Sequence, residues 1–517
     1  MDEANRSLVE QATLTRRGFL RVATLLVGGA ALGTLAACGA QPSAPAAPAK
    51  PAEPAKPAEA AKPAESKPAA AAPAAQPAQQ APSSAKPGDF DWKKHKGTTI
   101  NLALNKHPYT ESLMPLLDQF KEETGMNAQF LILPGAEYFR KIELDMSTGA
   151  GEYDVFMTSP TRNWTYSKPG WLEPLDQYLG DPKVTHPEYD HADFFPLLRE
   201  ANLWDKTIGG GVGKGNTWAI PVHVETYAVV YRKDIFDEKG IKVPTTLEEW
   251  YDAATKATFK DKDGSQIYGT IQRGVRDGNT NTGFVSSYRA YGNADFDENL
   301  NVQVNKPDAV KFYEQWAKTI KESSTPGWTS VTWYEGKESF TQGKFAMYFD
   351  CDFFAAGYED KNTSKVAGKV GYAPPLAPSP DKRWTHLSTW ALGMSAASKN
   401  KEAAWYLIQW ATSKQRLLDA TVKYNNFNPT RKSVFDNADV QKTMGAWGAG
   451  TYLPTVLDNL NKYAKIAYTP NPELPSFTVR TSQALQEIWN GQPAQKVLDA
   501  AAEEINANMT KAGWRKG

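Results

Sequence analysis

Cysteine is nearly absent from this chain. Its 517 residues hold two, Cys38 and Cys351. If the chain is cleaved and modified at the first, no intramolecular disulfide is available to the mature protein. A charge surplus is also lacking, with 58 basic against 58 acidic residues. That balance gives no sign of nucleic-acid binding. Histidine is scarce, and the six present show no paired metal-ligand spacing, so no metal site is expected. The apolar run Val22–Ala37 is shorter than the ~20 residues that span a bilayer and is rich in glycine. Gly209–Gly215 approximates a phosphate-binding loop, but is one residue short and lacks the Ser or Thr that would hold magnesium. Asp261-Lys262-Asp263-Gly264 begins like a calcium loop, yet nothing acidic follows at the required distance; it reads better as a turn between Phe259 and Ile267. No cofactor is expected.

What is present begins with a leader. Thr15-Arg16-Arg17-Gly18-Phe19-Leu20 looks like a twin-arginine export signal, and Leu35-Ala36-Ala37-Cys38 looks like a bacterial lipobox. Residues 1–37 are therefore read as an export signal and Cys38 as the lipidation site. Gln41–Pro87 is almost entirely Ala, Pro, Lys, Glu, Gln and Ser. It lacks the aromatic and branched residues needed to offset the entropy of ordering, so residues 38–96 are expected to form a lipid anchor and disordered tether. At ~3.1 Å per residue its reach is on the order of 140 Å. Beyond it remain roughly 420 residues, more than one hydrophobic core usually serves, so two lobes are expected.

From Gly97 onward the pattern alternates strand and helix. Thr99–Leu104, Gln129–Leu133 and Tyr153–Met157 read as strands; the helices between them carry Leu113, Leu116, Leu117 and Phe120, then Tyr138–Met146. Such alternation means a parallel sheet covered on both faces, with ligand sites at the carboxyl ends of the strands. The loops Asn105–Tyr109 and Thr158–Trp164 should therefore face a site. In Ile220–Glu225 apolar and polar residues alternate, but Pro221 cannot donate to a ladder, so this is no ordinary central strand. Ala228–Tyr231 reads as a buried strand. Thr246 and Glu249 fit a capping box at the next helix. The chain here leaves one lobe and founds another.

That stretch resembles the segment after the first lobe in extracellular solute-binding proteins of ABC importers. Trp171-Leu172-Glu173-Pro174-Leu175, Gly343-Lys344-Phe345-Ala346-Met347, Val366–Pro375 and Ser388–Met394 resemble further elements of that family in consistent order. Gln272-Arg273-Gly274 and the last two strings are most similar to the sorbitol- and mannitol-binding branch, from which Thr389 and Ala391 depart. The resemblance implies an α/β, two-lobed periplasmic-binding-protein-like fold, with discontinuous lobes, mixed sheets flanked by helices and a hinge of about three crossings. The N-terminal lobe would comprise 97–221 and 393–435, the C-terminal lobe 222–392 and 436–517. It implies a lipid-anchored receptor at the bacterial cell surface or periplasm. Such a receptor is a monomer without catalytic activity that captures a sugar or polyol and hands it to ABC permease subunits.

A polyol's hydroxyls both donate and accept, so its site should mix charged and amide partners with an aromatic platform. Candidates are Asn105, His107, Thr161, His223, Glu225, Arg273, Asp350, Asp352 and Trp390. Each has a plainer alternative: Trp390 as core, Asp350 and Asp352 as helix caps, His223 as a hinge hydrogen-bond residue, Arg273 as a surface ion pair. The competing class is an exported carbohydrate-active hydrolase working with a carboxylate pair such as Glu225 and Asp350; a receptor for another small solute is the third.

If Cys38 carries lipid, Cys38→Ser should move the protein from the membrane fraction to the soluble fraction; unchanged partition on fractionation would refute the lipobox.

Overall fold

Pro221 has no amide hydrogen, and the fold accommodates it at an irregular sheet margin. The computed structural model describes residues 90–278 and 281–515. The export signal, Cys38 and the Ala/Pro-rich segment lie outside the described residues.

Five strands form one sheet, in the order β2-β1-β3-β8-β4: β1 (Thr99–Asn105), β2 (Asn127–Leu133), β3 (Val155–Thr158), β4 (Ile220–Glu225) and β8 (Ser388–Met394). The first three are parallel, as their helical crossovers require. β8 runs antiparallel to both its neighbours, β3 and β4, which makes the sheet mixed. β4 is an edge strand. Its ladder with β8 slips at Trp390/Ala391, so that Ala391 pairs with Pro221 and Trp390 with His223. A bulge beside the proline on an edge is where a missing donor costs least.

Only Thr226 separates β4 from β5 (Tyr227–Arg232), the centre of a second, antiparallel sheet with β6 (Met347–Cys351) and β7 (Val370–Ala373). The chain returns to the first sheet between β7 and β8. It crosses again after the helix Lys414–Tyr424, since helix Tyr452–Asp458 brings Tyr452 against Tyr372 on β7, with ring centroids 4.9 Å apart. Residues 222–225 and 388–392, read from the sequence as part of the second lobe, belong to the first sheet. Edge pairing holds them there.

Local signals explain several helix ends. Gly125 closes the helix Leu117–Thr124 in the left-handed conformation at φ 70°. The expected capping box at Thr246 forms only by half: Thr246 caps the Glu249 amide, while the Glu249 carboxylate takes the Thr245 amide instead. A complete box stands at Thr332 and Glu335. Packing also extends ahead of Gly97. Phe90 stacks on Tyr406 and Trp92 on His186, at 4.9 and 5.6 Å, and His95 meets Glu402 at 3.1 Å. Among the described residues no helix is long and apolar enough to cross a membrane.

Arg431 is fully buried. It donates to the carbonyls of Thr412, Asp190 and Tyr189, each at 2.8 Å, and reaches Asp193 at 3.3 Å. Its removal strands three carbonyls and a carboxylate. Arg431→Met should lower stability by about 3–5 kcal/mol in urea unfolding.

Candidate functional site

The site is assembled where the two sheets meet. His107 follows β1 and caps the helix Pro108–Leu113, its Nδ1 accepting the Tyr109 amide at 3.1 Å. Pro108 sets the first helical φ and needs no partner for a missing N–H. His223 and Glu225 alternate along β4 and so share one face. Trp390, cross-strand from His223, leans diagonally to donate its indole N–H to Glu225 Oε1 at 3.1 Å. His107 Nε2 stands 3.4 Å from the same oxygen, and the Cys351 thiol donates to Oε2 at 3.5 Å. Glu225 thus gathers one group from the β1 loop, one from β8 and one from the end of β6.

Its electrostatics follow. Burial alone would raise the Glu225 pKa, but the polar groups beside it, His107 first, then His223 and Arg273, bring it to about 2. Burial, with His107 adding to it, drives His223 down to about 3, so its imidazole is neutral at ordinary pH. Burial also pushes the Cys351 thiol well above its usual value, which makes it a packing group and a weak donor.

Arg273 lies in the segment between the hairpin of Phe259–Lys260 with Gln266–Ile267 and the helix Asn281–Ala290. Its Nε and Nη2 grip Asp350, Nε reaching Oδ2 at 2.8 Å and Nη2 reaching Oδ1 at 2.5 Å, and Nη2 also contacts Cys351 Sγ at 3.2 Å. Burial opposes the guanidinium charge, yet Asp350 and its neighbours hold the pKa well above the ordinary value. The backbone beside it is tightly docked: a Cβ on Gly274 would lie 1.8 Å from the Trp328 carbonyl oxygen. Asp350 also accepts the Cys351 amide at 2.7 Å. Its carboxylate is fully engaged and serves to position Arg273.

Other candidates fall elsewhere. Asp352 turns to Thr226 and Asn428 and lines a separate small cavity with Phe427 and Met444; burial pushes its carboxyl up to about 7 despite those hydrogen bonds. Asn105 is buried and accepts the Gly135 amide at 3.0 Å, fixing the start of helix Gly135–Thr148. Thr161, half-buried, shares a 3.1 Å contact with Ser159 at the start of its helix. Trp390 is half-buried rather than sealed in the core. It stacks on Phe139 at 6.1 Å with planes 10° apart, and Arg162 sits 4.0 Å from the Phe139 ring.

Sequence reasoning missed Phe139, Phe353 and Asn426. Phe353 packs edge-on to His223 at 4.6 Å, and Asn426 Oδ1 binds His223 Nδ1 at 3.0 Å. A signal for Phe139 existed: it lies off the buried stripe Tyr138, Ile142, Met146. Histidine spacing along the chain did not show which histidines come together. His107, His223 and Glu225 bring ligand-type atoms within 4.8 Å of one another, a grouping that spacing along the chain cannot reveal.

Two sheet-centred lobes with aromatic faces and buried polar groups between them define a receptor-like architecture. The chain belongs to the bacterial extracellular solute-binding protein family, whose model matches residues 106–416. An erythritol/L-threitol-binding protein of Mycolicibacterium smegmatis is 32% identical over 422 residues, covering 80% of this chain and 87% of that protein. A mannitol-binding protein of Pseudomonas aeruginosa is 25% identical, covering 73% and 85%. Among solved structures, an Agrobacterium vitis solute-binding protein with bound D-mannitol superposes with a TM-score of 0.69 at 28% identity, covering 81% of this chain and all of that one. One from Agrobacterium radiobacter in complex with ribitol gives 0.70 at 25%, covering 79% and 98%.

Asp350→Asn leaves a buried guanidinium without its counter-charge. It should cost about 3–5 kcal/mol in denaturant unfolding, and adding Arg273→Met should recover much of the loss.

Proposed function

We propose that this chain is the solute-capturing component of an ABC importer, and that its ligand is an acyclic polyol in the range from tetritols to hexitols. The polyol would lie between the lobes and pass to permease subunits, with the receptor exported, monomeric and held at the outer face of the cytoplasmic membrane through lipid on Cys38. The observation that carries this reading is the meeting of His107, His223 and Glu225 with the half-buried rings of Trp390, Phe139 and Phe353. Hydroxyls find donors and acceptors there, and the C–H edges of the ligand find aromatic faces. The erythritol-, ribitol- and mannitol-binding relatives support the same ligand class.

A hydrolase fits the geometry poorly. Glycoside hydrolysis needs a protonated general acid beside a second carboxylate. Glu225, drawn down to about 2, is ionised and occupied by its donors. Asp350 is committed to Arg273.

Isothermal titration of residues 90–517 with erythritol, L-threitol, ribitol and D-mannitol tests the reading. Saturable one-to-one binding is expected, with ~2.7 kcal/mol of stabilisation at a hundredfold excess over Kd. Release of product from glycosides, with no polyol binding, would overturn it. Trp390→Ala should weaken the bound polyol at least tenfold, since it removes a stacking face and one donor to Glu225. The melting temperature without ligand should fall less than for a core tryptophan.

A further inference from the structure

We propose that His107 and His223 form a polarised hydroxyl-recognition subsite, in which one ligand hydroxyl accepts from His107 Nε2–H and must donate to His223 Nε2. This rests on the polyol reading above and adds which atoms select the ligand. The two rings stand face to edge, their centroids 4.7 Å apart. Their tautomers are fixed in opposite senses by their other nitrogens. His107 Nδ1 accepts the Tyr109 amide, so the ring proton of the neutral imidazole sits on Nε2. His223 Nδ1 faces Asn426 Oδ1 at 3.0 Å, an atom that can only accept, so Nδ1 holds the proton and Nε2 offers a lone pair.

Both Nε2 atoms are buried and neither has a hydrogen-bond partner among the described residues. His107 Nε2 has Glu225 Oε1 at 3.4 Å, long for a hydrogen bond. His223 Nε2 has nothing. Residue exposure is 5% at His107 and 1% at His223, so neither nitrogen is compensated by open solvent. A buried acceptor left in this state is costly, and the structure holds it in place with Asn426 on one side and the Phe353 ring edge-on.

The same three residues have the composition of a cation site, His107, His223 and Glu225 lying within mutual reach. The tautomers argue otherwise. A metal needs a lone pair on both imidazoles, and His107 spends its only one on the helix cap. One N–H and one lone pair, on imidazoles whose ligand-type atoms lie within 4.8 Å of each other and of a carboxylate, match a group that accepts and donates at once. A neutral hydroxyl does so. A carboxylate or an ether oxygen cannot donate to His223, and a carboxylate would also face ionised Glu225. The subsite therefore selects free hydroxyls over oxidised or O-alkylated ones.

The test pairs ligand and protein changes in a thermodynamic cycle. Wild type and His223→Phe, each checked for native circular dichroism and melting, are titrated with D-mannitol, ribitol and erythritol, then with single-position deoxy and O-methyl analogues of whichever binds. At one position both analogues should lose tenfold or more on the wild type, and lose nothing further on His223→Phe. Should that variant not fold, Asn426→Leu replaces it, with the penalty for the O-methyl analogue expected to shrink because the tautomer is released. Undiminished penalties in the variant would overturn the subsite while leaving polyol binding intact. Failure of all three polyols to bind the wild type would overturn the polyol reading itself. Zn2+ titrated alone, if it bound tightly, competed with the polyol and lost affinity in His223→Phe, would replace the hydroxyl subsite with a metal site.

Discussion

A carboxylate buried at the end of an edge strand is the constraint around which this molecule is arranged. Glu225 is the last residue of β4, one residue before the second sheet begins. An ionised group so placed must have polar neighbours, and they come from three different parts of the chain: Trp390 and Cys351 donate to it, and His107 stands 3.4 Å away. Arg273 adds a stabilising field from its own pair with Asp350. Satisfying one buried charge thereby fixes the loop after β1, the bulged face of β8 and the end of β6 relative to one another.

The location of that charge matters as much as its partners. β4 and β5 are nearly continuous, so the polar cluster sits on the connection between the two sheets and not at the tip of either lobe. Thr226, the residue between them, is itself held by Asp352, whose amide returns a hydrogen bond to the Thr226 carbonyl at 2.9 Å. Under the function proposed above, the ligand would touch both lobes at this junction, where a small rotation displaces every distal surface.

Much of the fold was legible in the sequence. The alternation of strand and helix from Thr99 to Thr158 is local, and so are the stop at Gly125 and the warning carried by Pro221. The mixed direction of the first sheet was implied only by the family resemblance and not by the local pattern, because β8 joins it from beyond the second sheet and its antiparallel pairing is a tertiary event. The site was half visible. His107, His223, Glu225, Arg273, Asp350 and Trp390 were named from residue type and position, but their partnerships span long separations: 77 residues for Arg273 and Asp350, 203 for His223 and Asn426. Residue type alone also mis-set roles. Asp350 and Asp352 neighbour one another in sequence, yet the first grips a guanidinium and the second faces another cavity, since the strand ends between them and the chain turns. Phe353 stayed hidden because an aromatic beside other apolar residues looks like core until its exposure is known.

The aromatic clasp ahead of β1 has a mechanical consequence. Phe90 and Trp92 grip Tyr406 and His186, and Lys94 and His95 close on Glu402, all within the lobe of the first sheet. Any pull arriving along the preceding chain is therefore taken up in shear across that clasp and the helix Lys401–Ala411. The strand pair at Thr226 lies outside this load path. Under the anchored reading proposed above, the first lobe would be the moored body and the second the free arm.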